Sequence, residues 1–239
     1  IIRWQQNNAK MKKIMTYSMI HDIKTPLSTI RLGLGALDHE KIVNDPEKRT
    51  KYLQVISTET QHAYSLINRI LTISKSQAGK LELKKVQVDM TSMLSKMEEN
   101  FKVNRLKNVS FENHINCQYA FADEEYLKEI FYNLIDNSIK YSDGDVTIRI
   151  STDKVDKGVS IRVRDNGIGI SKADQKVIFD KYERASAAKR TFKKKGAPGF
   201  GLGLTYVFQV IDAHEGMIGV ESELGKYTEF SIFLPDQKT

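Results

Sequence analysis

The stretch Glu129-Ile130-Phe131-Tyr132-Asn133-Leu134-Ile135-Asp136-Asn137-Ser138-Ile139-Lys140-Tyr141 decides how the chain is read. Within a helix predicted over Glu124–Tyr141, Glu129, Asn133 and Asn137 fall at four-residue spacing, and Lys140 and Tyr141 complete that polar edge. Leu127, Ile130 and Leu134 form the apolar flank, so the helix lays one side on a core and keeps a row of amides free. Amide oxygens and a carboxylate suit Mg²⁺, which prefers oxygen donors and usually shares them with substrate phosphates. Lys140 adds a point charge for phosphate.

Downstream, a predicted strand Val159–Arg164 runs into Asp165-Asn166-Gly167-Ile168-Gly169-Ile170. A carboxylate at a strand end, followed by two glycines, lets a flat ligand approach the backbone, and Asp165 can accept the exocyclic amine of adenine. Pro198-Gly199-Phe200-Gly201-Leu202-Gly203-Leu204 precedes another predicted helix, where backbone N–H groups and a helix N-terminus can face phosphates. Neither cluster is one of the two common nucleotide motifs. No Gly-Lys-Ser/Thr ends the second, and no βαβ acidic residue follows the first. The remaining pieces are a helix over Met90–Leu106 and strands Val109–His114, Val146–Ser151, Met217–Ser222 and Thr228–Leu234. Together they predict an α/β sandwich, one layer of helices over a mixed sheet.

Upstream the period changes. From Met11 to Leu37, Ile20, Ile23, Leu27, Ile30, Leu34 and Leu37 recur at three- and four-residue steps, the stripe of a long helix. After Asn44-Asp45-Pro46, a second stripe runs Leu53, Ile56, Thr60, Ala63, Ile67 and Ile70. Two such helices make an antiparallel hairpin. Alone it leaves half its stripe in water, so pairing two copies into a four-helix bundle is expected. His21 points roughly 150° from the mean direction of the stripe at about 100° per residue, hence toward solvent. A water-facing imidazole becomes a nucleophile if a neighbour handles its proton, and Asp22 is adjacent. Thr25 lies one turn on, over the same face, and Pro26 loosens the helix there. The fold class is therefore α+β, with a hairpin over 1–78, a linker over 79–85 and the sandwich over 86–239.

The chain has 239 residues and a formal net charge of +7. Residues 1–85 hold 15 Lys and Arg against 7 Asp and Glu, the remainder 22 against 23, so the excess sits on the hairpin. Such a surface suits nucleic acid, an anionic membrane face or an acidic protein partner, and charge alone does not choose among them. No compact basic reading motif for nucleic acid is evident, and no apolar run is long enough to cross a membrane. One cysteine, Cys117, excludes an internal disulfide and fits a reducing compartment.

Five ordered motifs carry a resemblance: His-Asp-Ile-Lys-Thr-Pro-Leu (21–27), Asn-Leu-Ile-Asp-Asn-Ser-Ile-Lys-Tyr (133–141), Asp-Asn-Gly-Ile-Gly-Ile (165–170), Ile-Phe-Asp-Lys-Tyr-Glu-Arg (178–184) and Gly-Phe-Gly-Leu-Gly-Leu (199–204). The chain resembles the HisKA-type sensor histidine kinases over nearly its whole length. The resemblance implies a homodimeric hairpin bearing the phospho-accepting His21, followed by an ATP-binding domain of the GHKL (Bergerat) type. By motif position, Asn137 binds Mg²⁺, Asn133, Lys140 and Tyr141 line the nucleotide pocket, and Asp165 recognises adenine beside Gly167 and Gly169. Glu129 has a supporting catalytic or metal role, and Arg184 approaches the transferring phosphoryl group. Gly199, Phe200, Gly201, Leu202, Gly203 and Leu204 end a lid. Asp22 assists autophosphorylation, and Thr25 serves dephosphorylation of the partner.

The implied activity is phosphorylation of His21 by ATP, transfer to an aspartate of a response regulator receiver domain, and a phosphatase activity toward that regulator. The receiver is expected on a separate chain or a removed C-terminal part. An upstream helix from a sensor region is expected to enter at the uncapped Ile1, and the segment to lie in the cytoplasm. Two positions depart from the pattern: Phe200 is bulky where many relatives carry a smaller or polar residue, and Tyr227 replaces a usual second glycine. The segment 189–195 of the lid is unusually basic.

Overall fold

The computed structural model describes residues 20, 23–102, 108–176, 178–179 and 202–237. Two compact units are present. One comprises the described residues up to Ser74, the other those from Lys75 to Phe179 and from Gly203 on.

In the first unit, helix α1 covers residues 23–37. A short α2 (Glu40–Val43) follows, then the long α3 (Pro46–Gln77). Asp45 stops the turn and starts α3: its Oδ1 accepts the Lys48 N–H at 3.1 Å, and Pro46 supplies a preset φ where no N–H is needed. A Cβ on Gly33 would lie 2.9 Å from Ile56 Cγ1, so the glycine lets α1 and α3 approach at mid-length. Ala63 and Leu66 are buried, whereas Leu27, Leu34 and Leu53 are 53%, 53% and 51% exposed. Half of the predicted stripe therefore faces water, as expected of a hairpin without a second copy. Helix α3 continues past Ser74, and Ser76 Oγ, in the second unit, donates to Gln209 Oε1 at 3.1 Å.

The second unit opens with β1 (Lys85–Asp89), α4 (Met90–Lys102), β2 (Val109–Ile115), β3 (Tyr119–Asp123) and α5 (Glu124–Lys140). It continues with β4 (Val146–Val155), β5 (Gly158–Asp165), α6 (Lys172–Gln175), α7 (Leu202–Ala213), β6 (Met217–Glu223) and β7 (Tyr227–Pro235). The five-stranded sheet has the order β2-β4-β5-β7-β6, parallel only between β2 and β4. Alternation sets its two faces. Ile148 and Ile150, Ile161 and Val163, and Phe230 and Ile232 turn inward. Met93 and Met97 of α4, Leu127, Phe131 and Leu134 of α5, and Val207 and Val210 of α7 are buried with them, a core in which truncating one large side chain to Ala costs about 2–5 kcal/mol. The Phe179 ring lies 6.4 Å from that of Phe208 on α7, tilted, and 6.2 Å from that of Phe230 on β7, edge to face. The opposite face carries paired charges, Arg149 with Glu112, Arg162 with Asp153 and Arg164 with Glu229. It is a solvated face.

Two strands depart from expectation. β1 and β3 pair antiparallel in a sheet of their own, although neither was foreseen. In Lys85–Asp89 only Val88 is buried, too little alternation to register. The inward residues of β3 are Ala120 and Ala122, whose small side chains carry little strand signal. The helix predicted to Leu106 is described to Lys102, and residues 103–107 lie outside the described set.

Candidate functional site

Helix α5 is fixed at its start by Asp123, whose Oδ1 accepts the Tyr126 N–H at 3.3 Å. The other oxygen, Oδ2, accepts the Lys84 N–H at 2.8 Å, and the Asp123 N–H donates to Nε2 of His214 at 3.0 Å. Lys85 Nζ closes this group on the His214 carbonyl at 3.1 Å. The chain arriving from α3 is thus tied to the root of α5 and the end of α7.

From that anchored root the polar row emerges. Asn133 is only 3% exposed; its Nδ2 donates to the Glu129 carbonyl one turn back at 2.7 Å. This leaves Oδ1, which sits 2.9 Å from where a Cβ on Gly203 would be. Glycine at the start of α7 therefore lets that helix close on the amide. Glu129 is half-buried, and its carboxylate accepts the hydroxyl of Tyr206 from α7. Asn137 is half-buried midway along the row. Lys140 Nζ lies 5.4 Å from the Tyr141 ring centroid, a distance that suits a cation–π contact.

The first glycine cluster folds onto the end of α5. The Tyr141 carbonyl accepts the Ile168 N–H at 2.9 Å, and a Cβ on Gly167 would lie 2.8 Å from that same carbonyl. Asp165 is 7% exposed, with Oδ1 accepting the Gly167 N–H and Oδ2 the Ser138 hydroxyl, both at 2.8 Å. Burial pushes its carboxyl above the usual range, opposed by these two donors and by the backbone of Thr228. A carboxylate has about four acceptor positions and three donors reach this one, so Asp165 can accept one more donor from a ligand. Gly169 takes φ +69°, and a Cβ there would meet the Glu223 carbonyl at 2.2 Å. The turn is pinned to the β6–β7 hairpin by Ile170 N–H to Ser222 Oγ and Gly225 N–H to the Ile168 carbonyl, each at 2.7 Å.

A cavity of about 380 Å³ opens beside Asp165 on the solvated face of the sheet, lined by Arg149, Arg164, Lys226 and Tyr227 among others. Its cations are spent on Glu112, Glu229 and Glu223.

The expected residues therefore meet in two groups on one helix: Glu129 and Asn133 with Gly203, and Tyr141 with Asp165 and Gly167. Leu204 is buried behind Gly203. Thr25 is exposed on α1. His21, Asp22, Arg184, Gly199, Phe200, Gly201 and the side chain of Leu202 lie outside the described residues, as does the basic segment 189–195. Ser138, Tyr206, Ser222 and Thr228 were not anticipated. Only Ser138, next to Asn137 in the same motif, offered a local signal.

Among the described residues no cluster of three or more His, Cys, Asp or Glu side chains can hold a metal ion by itself. The donor set on α5, a carboxylate and two amides, fits a cation that arrives with phosphate oxygens rather than one caged by protein.

Residues 11–79 match the His Kinase A (phospho-acceptor) domain, and residues 122–238 match the Histidine kinase-, DNA gyrase B-, and HSP90-like ATPase family. The chain belongs to the HisKA-type sensor histidine kinases. Among relatives of this family, Sensor protein RprX of Bacteroides fragilis is 32% identical over 98% of this chain and 46% of its own length. The autoinducer 2 sensor kinase/phosphatase LuxQ of Vibrio vulnificus is 32% identical over 99% of this chain and 28% of its own. The chain thus spans less than half the length of these curated relatives. Three solved histidine kinases share the fold. AdeS of Acinetobacter baumannii has a TM-score of 0.67 at 21% identity, covering 91% of this chain and 98% of that one. Full-length ShkA in complex with AMPPNP has a TM-score of 0.62 at 24% identity, covering 95% and 46%. ThkA in complex with the response regulator protein TrrA has a TM-score of 0.62 at 21% identity, covering 98% and 64%.

Proposed function

We propose that this chain is the cytoplasmic catalytic core of a sensor histidine kinase, which phosphorylates His21 from ATP and passes the phosphoryl group to an aspartate of a response regulator receiver domain. The observation that carries the reading is Asp165, a buried carboxylate with room for one more donor at the foot of a helix whose amide Asn133 closes on Gly203. An adenine amine donating to Asp165 would run the nucleotide along α5, with its phosphates toward Asn133, Asn137 and the start of α7. Asn137 and Glu129 hold Mg²⁺ in this reading, and the ion supplies charge neutralisation to the triphosphate. Lys140 and Tyr141 line the pocket, Gly199, Gly201 and Gly203 shape the lid, and Arg184 approaches the phosphoryl group.

The reaction forms a bond from an imidazole nitrogen of His21 to the γ-phosphorus as the bond to the ADP oxygen breaks, and Asp22 takes the ring proton. Alignment and charge, rather than covalent chemistry by other groups, make up the protein's share. The exposed leucines of the hairpin support a homodimer that buries them as a four-helix bundle. The hairpin's positive charge favours a receiver whose phosphorylation pocket is lined by carboxylates. Thr25 serves dephosphorylation of that regulator. We place the functional boundary at the segment 79–85, between a hairpin of residues 1–78 and an ATP-binding domain of residues 86–239.

Incubation with labelled ATP and Mg²⁺ should give acid-labile, base-stable phosphate on the protein, and His21→Gln should abolish it while nucleotide binding persists. Undiminished labelling of that variant would overturn the assignment of His21.

A further inference from the structure

Tyr206 is fully buried on α7. A buried phenol needs a hydrogen-bond acceptor, and here the acceptor is the Glu129 carboxylate of α5. Packing alone would be served by an apolar side chain, as at its neighbours Leu204, Val207 and Val210, all buried. The hydroxyl is what requires a reason.

Its position supplies one. Gly203 and Tyr206 are three residues apart and share a face of α7. One closes on the side chain of Asn133, the other donates to Glu129, and Asn133 is itself bonded to the Glu129 carbonyl. Two helices are thereby gripped at two points one turn apart. Glu129 is half-buried at the polar edge, where a carboxylate without that donor would sample several rotamers.

We propose that Tyr206 is a positioning residue, whose hydroxyl holds the Glu129 carboxylate in the orientation from which it serves the Mg²⁺ of the nucleotide. The proposal rests on the role given to Glu129 above. Partners that orient metal-binding groups typically change metal affinity 10–100-fold when removed.

Tyr206→Phe deletes the hydroxyl and keeps the ring. Binding of a fluorescent ATP analogue is measured against Mg²⁺ concentration for the wild type, Tyr206→Phe, Glu129→Ala and the double variant, with melting temperature as the control for folding. Tyr206→Phe should raise the half-saturating Mg²⁺ about tenfold and leave affinity for the metal-free analogue within about twofold. In the Glu129→Ala background the same substitution should have no further effect. Wild-type Mg²⁺ dependence in Tyr206→Phe, or an equal shift in both backgrounds, overturns the positioning role; so does a loss of metal-free affinity that tracks the melting temperature. A wild type that fails to bind the analogue overturns the functional reading and this inference together. One that binds and labels His21, but is matched by Tyr206→Phe, overturns only the latter.

Discussion

The Ser138 hydroxyl stands 2.8 Å from Oδ2 of Asp165 and 3.0 Å from the Leu134 carbonyl. One hydrogen faces two acceptors. The arrangement therefore tolerates a change of partner: if position 165 offered a donor, Ser138 could give its proton wholly to Leu134 and accept instead.

Asp165→Asn tests this. The carboxyl of Asp165 is raised by burial, so its favourable contribution to stability exists below the ordinary value of 3.8 and is lost as pH rises through the folded value. Near neutrality the buried charge costs stability, and the amide removes that cost while keeping the Gly167 and Ser138 contacts. The variant should melt at or above the wild-type temperature at pH 7, yet bind ATP about 10–100-fold more weakly for want of an acceptor. In the wild type, affinity should decline on acidification at a pH above that of an ordinary aspartate. Calorimetry on both proteins from pH 4 to 7 reads each effect, and wild-type affinity in Asp165→Asn would remove Asp165 from the adenine site.

His214 works in the opposite sense. It is 2% exposed, and burial pushes its ring below the usual 6.5, with Lys85 adding to the depression and Val210 and Asp123 opposing it. Nε2 accepts from Asp123 and Nδ1 lies 2.7 Å from the Val210 carbonyl, so the neutral ring is the one that fits. Its stabilisation is complete above pH 6.5 and falls away as acid lowers the pH toward the depressed value. His214→Gln should flatten the loss of urea resistance as pH falls below 6.5, at a neutral-pH cost of about 1–3 kcal/mol. Parallel pH profiles for the two proteins would count against His214 as the titrating group.

The glycines divide by what they face. Gly169→Ala puts a Cβ into the Glu223 carbonyl with φ +69°, against backbone that cannot yield, and should cost more than about 2 kcal/mol of folding stability. Gly203→Ala meets a rotatable amide instead, Asn133 Oδ1 at 2.9 Å, and alanine favours the helix by about 1 kcal/mol. It should leave denaturation within about 1 kcal/mol of wild type and weaken nucleotide binding by displacing Asn133. Equal melting losses in the two variants would contradict this division.

Thr25 is exposed on α1, and its carbonyl accepts the Thr29 hydroxyl at 3.3 Å. Thr25→Ala leaves that bond intact and alanine favours the helix, so the fold and autophosphorylation should survive. A phosphorylated receiver should persist longer with the variant than with the wild type in the presence of ADP. Equal decay rates would leave Thr25 as a surface residue.

Much of this was legible because the signals were local. The amide row, the alternation of β4, β5 and β7 and the two glycine clusters each sit inside one short window. The hairpin was readable from spacing, and its half-exposed stripe follows from the same spacing. What escaped was long-range or faint. Tyr206 and Glu129 are 77 residues apart, and nothing near either announces the other. Thr228 faces Asp165 only through the register of β5 with β7. β3 was lost because alanine packs inward without advertising a strand.

The ties of Lys84 to Asp123 and of Lys85 to His214 have a bearing on modular exchange. They belong to the sandwich by contact although they precede its first buried strand residue, Val88. A foreign hairpin spliced at Gly79–Lys80 would bring these lysines along with their recipient and leave α5 and α7 rooted as they are. A junction placed after Lys85 would keep the tie to Asp123, which is a backbone N–H that any residue but proline supplies, and would lose the hold of the Lys85 side chain on the His214 carbonyl at the end of α7. For a chimera of this chain the seam lies upstream of Lys84, before regular secondary structure resumes at β1.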